Sequence, residues 1–204
     1  MITSEQMKQL EDKSEQLGVS RSQLMENAGK GIYDSVKERF SDLRDKKILI
    51  VAYHGNNGGD GFVAADYLSS ECEVDVLFIG DETKFKKEAD VNFRKIEKND
   101  LIQILVEPEQ LDFDDYDIII DALLGTGVVG EIKEPISFVI DMINKSDAFK
   151  IAVDIPSGID PDTGEGNKFV DADMVITFHD IKSGLEKFKD KTVILDIGIP
   201  GELI

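Results

Sequence analysis

Seven short runs of apolar, mostly β-branched residues recur along this chain from residue 46 onward, and segments with helical periodicity separate several of them. The runs cover residues 48–53, 74–79, 102–106, 118–120, 151–153, 174–178 and 193–197. Strands that are apolar throughout and alternate with helices are typical of a mostly parallel sheet covered on both faces. The pattern therefore predicts an α/β fold, a three-layer αβα domain of the Rossmann-like type.

Helical patterns precede the sheet and fill some of the connections between its strands. A first helix is expected to begin at Thr3 or Ser4 and to end at Gly18, and Ser20 is expected to cap a second helix over Arg21–Phe40. Both should pack on the sheet. Crossover helices are predicted at 61–70, 83–98 and 135–145, and long loops or irregular helix at 155–170 and 179–191.

Length and charge restrict the class of protein further. The 204 residues are expected to form a single domain over 1–204. A formal net charge of −19 opposes binding to nucleic acid and to anionic membranes. No apolar run approaches the ~20 residues of a membrane span, and the first residues lack a secretory pattern. A cytoplasmic protein that acts on a small molecule is the expectation.

Polar or glycine-rich segments follow three of the predicted strands. GNNGGDG comes after the first strand, DALLGTG (121–127) after the strand at 118–120, and DIPSG (154–158) after the strand at 151–153. Parallel topology brings the carboxyl ends of strands to one edge of a sheet, where ligands of such folds bind. Each segment alone could be an ordinary turn or helix cap, but their convergence predicts a ligand site.

The first segment also fits a dinucleotide fingerprint. Gly59, Gly61 and Ala64 match G-x-G-x-x-A, and Asp81 follows about twenty residues later. The carboxylate of Asp60 fits poorly beside a pyrophosphate, and no residues suited to hydride transfer accompany the match. An NAD-dependent dehydrogenase is therefore a weak alternative, and a Walker A loop is excluded because no Lys-Ser/Thr pair follows the glycines.

Oxygen donors cluster in these same segments. Asn56, Asn57, Asp121 and Ser157 could contribute amide, carboxylate and hydroxyl ligands to a hard cation, but they do not form a zinc site. Ligand type alone leaves the identity of the ion open, and the low formal charge of the donors favours a monovalent one.

Three other polar residues near predicted strand ends receive no catalytic role. His54 and His179 have no serine or cysteine nucleophile in a G-x-S-x-G context, so acyl transfer by a triad is unsupported. Lys182 could lie near a bound phosphate, but we expect a surface lysine.

Five ordered motifs together resemble a known family. HGNNGGDGFVAADYL, DIIIDALLGTGVVGEI, IAVDIPSGIDPDTG, DADMVITF and LDIGIP, with the N-terminal SRSQLMENAGKGI, are similar to the YjeF N-terminal domain family, the NAD(P)H-hydrate epimerases. This resemblance implies a Rossmann-like enzyme that interconverts the R and S epimers of NADHX and NADPHX. It also implies a functional partner, an ADP- or ATP-dependent NAD(P)H-hydrate dehydratase, and a homodimer is one candidate assembly.

The family's ligand-binding positions transfer to this sequence residue by residue. The substrate positions implied by the resemblance are Asn56, Asn57, Gly58, Gly59, Asp60, Gly125, Thr126, Gly127, Val128, Val129, Gly130, Glu131 and Asp154. The implied ligands of a potassium ion are Asn57, Asp121 and Ser157. Ser183 replaces a proline that relatives often carry, so the resemblance assigns no role to Lys182.

Epimerisation requires a group that gives a proton to the leaving hydroxyl and one that takes a proton from incoming water. Asp154 and Asp121 are the candidates. A cation would hold Asp121 ionised, which favours Asp154 as the proton shuttle and Asp121 as the anchor. A catalytically idle nucleotide-binding or scaffold module of the same fold remains an alternative, as does a fragment of a fusion with a dehydratase.

Overall fold

The computed structural model describes residues 1–127 and 130–203, and its centre is a sheet of seven parallel strands. The strands are β1 (Lys47–Ala52), β2 (Glu73–Phe78), β3 (Ile102–Leu105), β4 (Ile118–Ala122), β5 (Phe149–Val153), β6 (Met174–Phe178) and β7 (Thr192–Leu195). Their spatial order is β3-β2-β1-β4-β5-β6-β7, and every pairing is parallel. The predicted fold class is confirmed.

Helices cover both faces of the sheet. They are α1 (Ser4–Gln16), α2 (Arg21–Phe40), α3 (Asn56–Leu68), α4 (Lys87–Ile96) and α5 (Ile136–Lys145). Short 3₁₀ segments occupy Glu82–Lys84, Pro108–Gln110, Phe113–Asp115, Ser183–Lys191 and Gly201–Leu203. The apolar side chains of α1 to α4 form one core with the sheet, and those of α5 form the core on the opposite face.

β1 shows why these runs form central strands. Ile48 and Ile50 point into the core beneath α1 to α4, whereas Leu49 and Val51 point into the core beneath α5, and all four are fully buried. Each such side chain contributes about 1.5–3 kcal/mol when it leaves water. A strand that is apolar at consecutive positions is stable only when both faces are covered.

The N-terminal helices begin where their caps predict. Thr3 and Gln6 form a capping box, in which the Thr3 hydroxyl accepts from the Gln6 amide at 3.2 Å and the Gln6 side chain accepts from the Thr3 amide at 2.9 Å. The Ser20 hydroxyl accepts from the Gln23 amide at 3.1 Å. Such caps satisfy amides that have no partner within the helix.

Two helix boundaries differ from prediction. α3 begins at Asn56 rather than at residue 61, so the asparagine-rich segment is the first turn of a helix and not a loop. The predicted helix at 83–98 is interrupted, because Phe85 and Lys86 are extended before α4 begins. Phe85 packs between Phe78 and Phe93, with ring centroids 5.0 and 4.9 Å away, and this packing overrides the local helical preference.

Glycines allow α3 to lie directly against the sheet. A Cβ at Gly61 would lie 2.7 Å from the Ala122 Cβ, and one at Gly58 would overlap the Tyr53 carbonyl oxygen. The close approach sets the first turn of α3 immediately beyond the end of β1. Within the described residues no helix has the combined length and apolar character needed to cross a bilayer.

Gly58→Ala is expected to lower the free energy of unfolding by about 1–3 kcal/mol or more. The reason is that the new methyl group would overlap backbone atoms of Tyr53, which cannot move aside. Gly55→Ala is the matched control, because a Cβ there would meet nothing within 4 Å. Urea denaturation of both variants measures the difference. Equal midpoints for Gly58→Ala and the wild type would contradict the close approach.

Candidate active site

A cavity of about 830 Å³ opens at the carboxyl edge of the sheet, within the size range of ligand sites. The start of α3, residues 123–127 after β4, and the ends of β5 and β6 line its inner side. Residues of α1 from Ser4 to Glu11 and the start of α4 complete the lining. β1, β4 and β5 are neighbours in the sheet, so the three segments that follow them converge, as predicted.

The structure brings together most of the predicted substrate residues. Asn56, Asn57, Asp60, Gly125, Thr126, Gly127 and Asp154 line the cavity. Gly58 and Gly59 lie behind it, since Cβ atoms there would meet Tyr53 and Met25. Gly130 and Glu131 are exposed and lie outside the cavity wall as described. Val128 and Val129 fall outside the described residues.

Asp121 and Ser157 lie in the interior behind residues 123–125. One Asp121 oxygen accepts from the Ser157 hydroxyl at 2.6 Å and the other from the Ser157 amide at 2.8 Å. The Ser157 hydroxyl also accepts from the Leu124 amide at 2.9 Å, which links β4 to the segment after β5. Burial raises the pKa of the Asp121 carboxyl to about 6, against the opposing effect of these hydrogen bonds.

Asn57 is the unsatisfied member of this region. Its side-chain oxygen and nitrogen are both buried, and neither has a hydrogen-bond partner among residues 1–127 and 130–203. A Cβ at Gly125 would lie 3.3 Å from the Asn57 side chain, so the glycine leaves the amide room beside the chain after β4. An unpaired buried amide costs free energy, which indicates that a ligand completes its bonding.

The described residues contain no cluster of three or more His, Cys, Asp or Glu side chains that could hold a metal ion. Any ion near Asn57 must therefore be bound by a mixed set of amide, hydroxyl and carboxylate oxygens. Such a set suits a hard cation of low charge better than zinc.

Asp154 stands at a sharp turn after β5. Its φ is +64°, and the Ile155 amide donates to the Val153 carbonyl across it at 2.8 Å. Aspartate adopts this left-handed conformation more readily than most residues. The turn places Asp154, which is only 8% exposed, on the cavity wall.

Lys182 is the cation that pairs with Asp154, and its predicted surface position is wrong. The side chain is 0% exposed, and its Nζ lies 2.5 Å from Asp154 Oδ1 and donates to the Phe178 carbonyl at 2.9 Å. The 3.2 Å hydrogen bond from the Thr177 hydroxyl adds a second donor to the carboxylate. A buried lysine requires such partners, since an isolated charge there would be very costly.

Four further carboxyl groups line the cavity with Asp154, those of Glu5, Glu11, Asp60 and Glu88. Together, Glu11, Asp60 and Asp154 form what we call the acidic wall. Burial raises the pKa of Asp60 well above its usual range, and the charges of Asp154 and Glu11 raise it further. Burial and the charge of Asp154 likewise raise the pKa of Glu11. The interior of the cavity therefore favours protons and cations.

Three lysines also line the cavity, beside Glu5 and Glu88. Lys8 in α1 and Lys86 and Lys87 at the start of α4 are exposed and line the opening, and we call them the basic rim. None of the three forms an ion pair within the described residues, whereas the nearby Arg21 is paired with acidic residues of α1. The field of a helix start adds to the positive charge at α4.

α1 contributes one face to the cavity, with Ser4, Met7, Lys8 and Glu11 at helical spacing. Its position is fixed by a short parallel pairing, in which the Ile2 amide donates to the Ile181 carbonyl at 2.9 Å and the Ser183 amide donates to the Ile2 carbonyl at 3.1 Å. This pairing brackets Lys182. α1 was predicted only to cover the sheet, so its part in the cavity was missed.

The dinucleotide fingerprint is not supported by the structure. Gly59 and Gly61 lie within α3 rather than in the turn that precedes it. Asp81, the acidic residue of that pattern, accepts from the Thr83 amide and hydroxyl at 3.0 and 2.6 Å and pairs with Lys84 at 3.2 Å. Its carboxylate is therefore occupied by a local cap, which removes the basis of the dehydrogenase alternative.

The parallel sheet and the crevice at its carboxyl edge place the chain among Rossmann-like α/β proteins. Residues 21–184 match the family described as YjeF-related protein N-terminus. This match spans most of the sequence, so the chain belongs to that family.

Two curated relatives are similar over 98% of this chain. The bifunctional NAD(P)H-hydrate repair enzyme Nnr of Archaeoglobus fulgidus is 42% identical over 205 residues, which make up 42% of that protein. The NAD(P)H-hydrate epimerase of Nitrosopumilus maritimus is 40% identical over 208 residues, which make up 96% of it. The chain thus spans about two fifths of the bifunctional relative and nearly all of the monofunctional one.

A crystal structure of yeast ynu0 shares the fold. Its TM-score is 0.83 at 20% sequence identity, and the match covers 96% of this chain and 87% of the yeast chain. At this identity the likeness concerns the fold alone.

Lys182→Met is expected to lower the free energy of unfolding by about 3–5 kcal/mol, because it leaves the Asp154 carboxylate buried without its cation. Lys30→Met is the control, since the Lys30–Asp34 pair is exposed and worth at most about 1 kcal/mol. Urea denaturation monitored by circular dichroism measures both. Equal losses in the two variants would contradict the structural importance of the buried pair.

Proposed function

We propose that this protein is an NAD(P)H-hydrate epimerase, which interconverts the R and S forms of NADHX and NADPHX. The observation that carries the proposal is the family membership, together with a relative of nearly the same length that bears this name. The cavity supports it, because its size suits a nucleotide and its charges suit the two ends of such a substrate.

The distribution of charge orients the substrate. Phosphate groups are repelled by the acidic wall and attracted by the basic rim, so the diphosphate lies toward Lys8, Lys86 and Lys87. The hydrated nicotinamide ring then enters the interior, where Asp154 and Asp60 lie. In a chain of net charge −19, the basic rim is the local feature that makes an anionic ligand acceptable.

The reaction occurs at C6 of the hydrated ring, which carries the hydroxyl group and is bonded to the ring nitrogen. The nitrogen lone pair expels the hydroxyl, leaving a cationic ring, and water adds to C6 from the opposite face. Fixed negative charge beside the ring stabilises the cation relative to the neutral substrate. Asp154 supplies that charge in a position where Lys182 and Thr177 hold its carboxylate in place.

Asp154 is the base that accepts a proton from the incoming water. Its carboxylate lies on the cavity wall, whereas Asp121 lies in the interior with both oxygens hydrogen-bonded. Asp121 therefore acts as an anchor that joins the segments after β4 and β5. The motif resemblance implies a substrate contact at Asp154 and an ion ligand at Asp121, and both are compatible with these roles.

Asn57, Asp121 and Ser157 suit a potassium ion as a resident group. The buried Asn57 amide has no partner among the described residues and lies beside Gly125. The Ser157 hydroxyl is hydrogen-bonded to the neighbouring Leu124 amide and to the Asp121 carboxylate, and these two groups supply further oxygen donors. When bound, such an ion would supply positive charge that offsets the burial of the Asp121 carboxylate. The chain's own residues bind and orient the substrate.

A functional partner is an NAD(P)H-hydrate dehydratase. The bifunctional repair enzymes of Archaeoglobus fulgidus and Methanopyrus kandleri match this chain over 42% and 39% of their own lengths, which leaves room for a second activity in those proteins. An epimerase supplies the dehydratase with the epimer that it consumes.

The purified chain is expected to bring R-NADPHX to its epimeric equilibrium, measured by chromatography of the two epimers. Asp154→Asn should lower kcat by about 10²–10⁴-fold, since the amide cannot accept a proton. KM should rise with ionic strength, because salt screens the basic rim.

Asp45→Asn, an exposed position, is the matched control and should retain wild-type rates. Saturable binding of R-NADPHX by the wild type without turnover would identify an idle binding module instead. Unchanged turnover by Asp154→Asn would remove Asp154 from the chemistry.

Potassium is expected to raise the Tm relative to choline at equal ionic strength. A free potassium concentration about ten times its Kd stabilises the fold by about 1.4 kcal/mol, which raises the Tm by several degrees for a chain of this size. Asn57→Ala should abolish this rise. It should leave the Tm in choline equal or higher, since the side chain it removes makes no hydrogen bond. Equal Tm values for the wild type in potassium and in choline would contradict the ion site.

A further inference from the structure

We propose that Asp60 is the proton donor to the leaving hydroxyl, because its carboxyl group is buried on the cavity wall, has no partner there, and shares the acidic wall with the base Asp154. The inference rests on the proposed epimerase function and assigns a second group to the same reaction. It gives Asp60 a chemical role beyond contact with the substrate.

The position of Asp60 suits a neutral carboxylic acid. The residue lies in α3, is only 9% exposed, and lines both the main cavity and a small recess of about 50 Å³ beside it. Among the described residues its carboxyl oxygens have no hydrogen bond and no ion pair, in contrast to the paired oxygens of Asp154 and Asp121. A buried carboxyl group without a donor favours the protonated state.

The charges around Asp60 reinforce this state. The charged groups that face it are Glu11 from α1, Arg21 from α2, Glu88 from α4, Asp154 after β5 and Lys182 after β6. Lys182 is paired with Asp154, and Arg21 is paired with acidic residues of α1. The charge of Lys182 lowers the pKa of Asp60, but by less than burial, Asp154 and Glu11 raise it. Burial, assisted by Asp154 and Glu11, raises the pKa of Asp60 well above that of an ordinary aspartate.

Asp60 and Asp154 differ in their partners, since Asp154 has both Lys182 and the Thr177 hydroxyl and Asp60 has neither. Lys182 contacts Asp154 at 2.5 Å and stabilises its carboxylate. The charge of the Asp154 carboxylate acts on Asp60 and raises its pKa, but Asp60 forms no ion pair with Lys182 in the described structure. One acid and one base in the same cavity are what a reaction with one leaving and one entering hydroxyl requires.

The proposed step balances without a further reagent. Asp60 transfers its proton to the C6 hydroxyl, the C6–O bond breaks as the nitrogen lone pair forms the N1=C6 double bond, and water departs. A water molecule then adds to the other face of C6, the double-bond electrons return to N1, and the excess proton of that water passes to Asp154. Transfer of one proton from Asp154 back to Asp60 through solvent in the cavity restores the starting state.

Asp60→Asn tests this role with a side chain of nearly equal size. We expect kcat for R-NADPHX to fall by about 10²–10⁴-fold while KM changes little, since the amide fills the site but cannot donate a carboxyl proton. The wild-type kcat should decrease as pH rises through the ionisation of Asp60, and the residual rate of the variant should lack that decrease. Asp45→Asn, which removes an exposed carboxylate outside the cavity, is the matched control and should behave as the wild type.

A second measurement does not depend on turnover. The side-chain carboxyl carbon of Asp60, assigned by through-bond NMR in the wild-type protein, should titrate with a midpoint far above that of an ordinary aspartate. A midpoint near 4, about the value of a free aspartate, would overturn the proposal. An active wild type with unchanged kcat and pH profile in Asp60→Asn would also overturn it and leave the epimerase function standing. An inactive wild type would instead contradict the function itself.

Discussion

Parallel pairing of β1 with β4 and of β4 with β5 is the constraint on which the site depends. It places the ends of three consecutive neighbours at one edge, so that α3, the chain after β4 and the turn after β5 meet. The hydrogen bonds from Ser157 to Asp121 then join two of these ends directly. Without that adjacency the oxygen donors would be spread along the sequence with no common site.

Charge is arranged against the overall character of the molecule. A chain with net charge −19 would repel a dinucleotide, yet its cavity is lined by three lysines that form no ion pair within the described residues. The carboxyl groups of the acidic wall, those of Glu11, Asp60 and Asp154, line the same cavity. The two ends of the proposed substrate require surroundings of opposite charge, since its diphosphate is anionic and its ring becomes cationic during the reaction. The same separation of charge therefore serves both binding and chemistry.

The sequence predicted the sheet well, because apolar runs such as 48–53 and 118–120 are buried on both faces and contain little else. It also predicted that the segments after β1, β4 and β5 would meet. The start of α3 was missed, because glycine and asparagine have low helix propensity and only contact with the sheet stabilises helix there. Lys182 was misplaced for a similar reason, as no local pattern reveals a partner 28 positions away. The available signal was that Lys182 follows β6 and Asp154 follows β5, and these two strands are neighbours in the sheet.

The short pairing between Ile2 and the chain around Lys182 has a mechanical consequence. α1 forms the outer side of the cavity, and the residues on either side of Lys182 hold the segment that leads into it. Any outward movement of α1 would pull on the backbone of the lysine that pairs with Asp154. Opening of the cavity and the electrostatics of its interior are therefore linked through two hydrogen bonds.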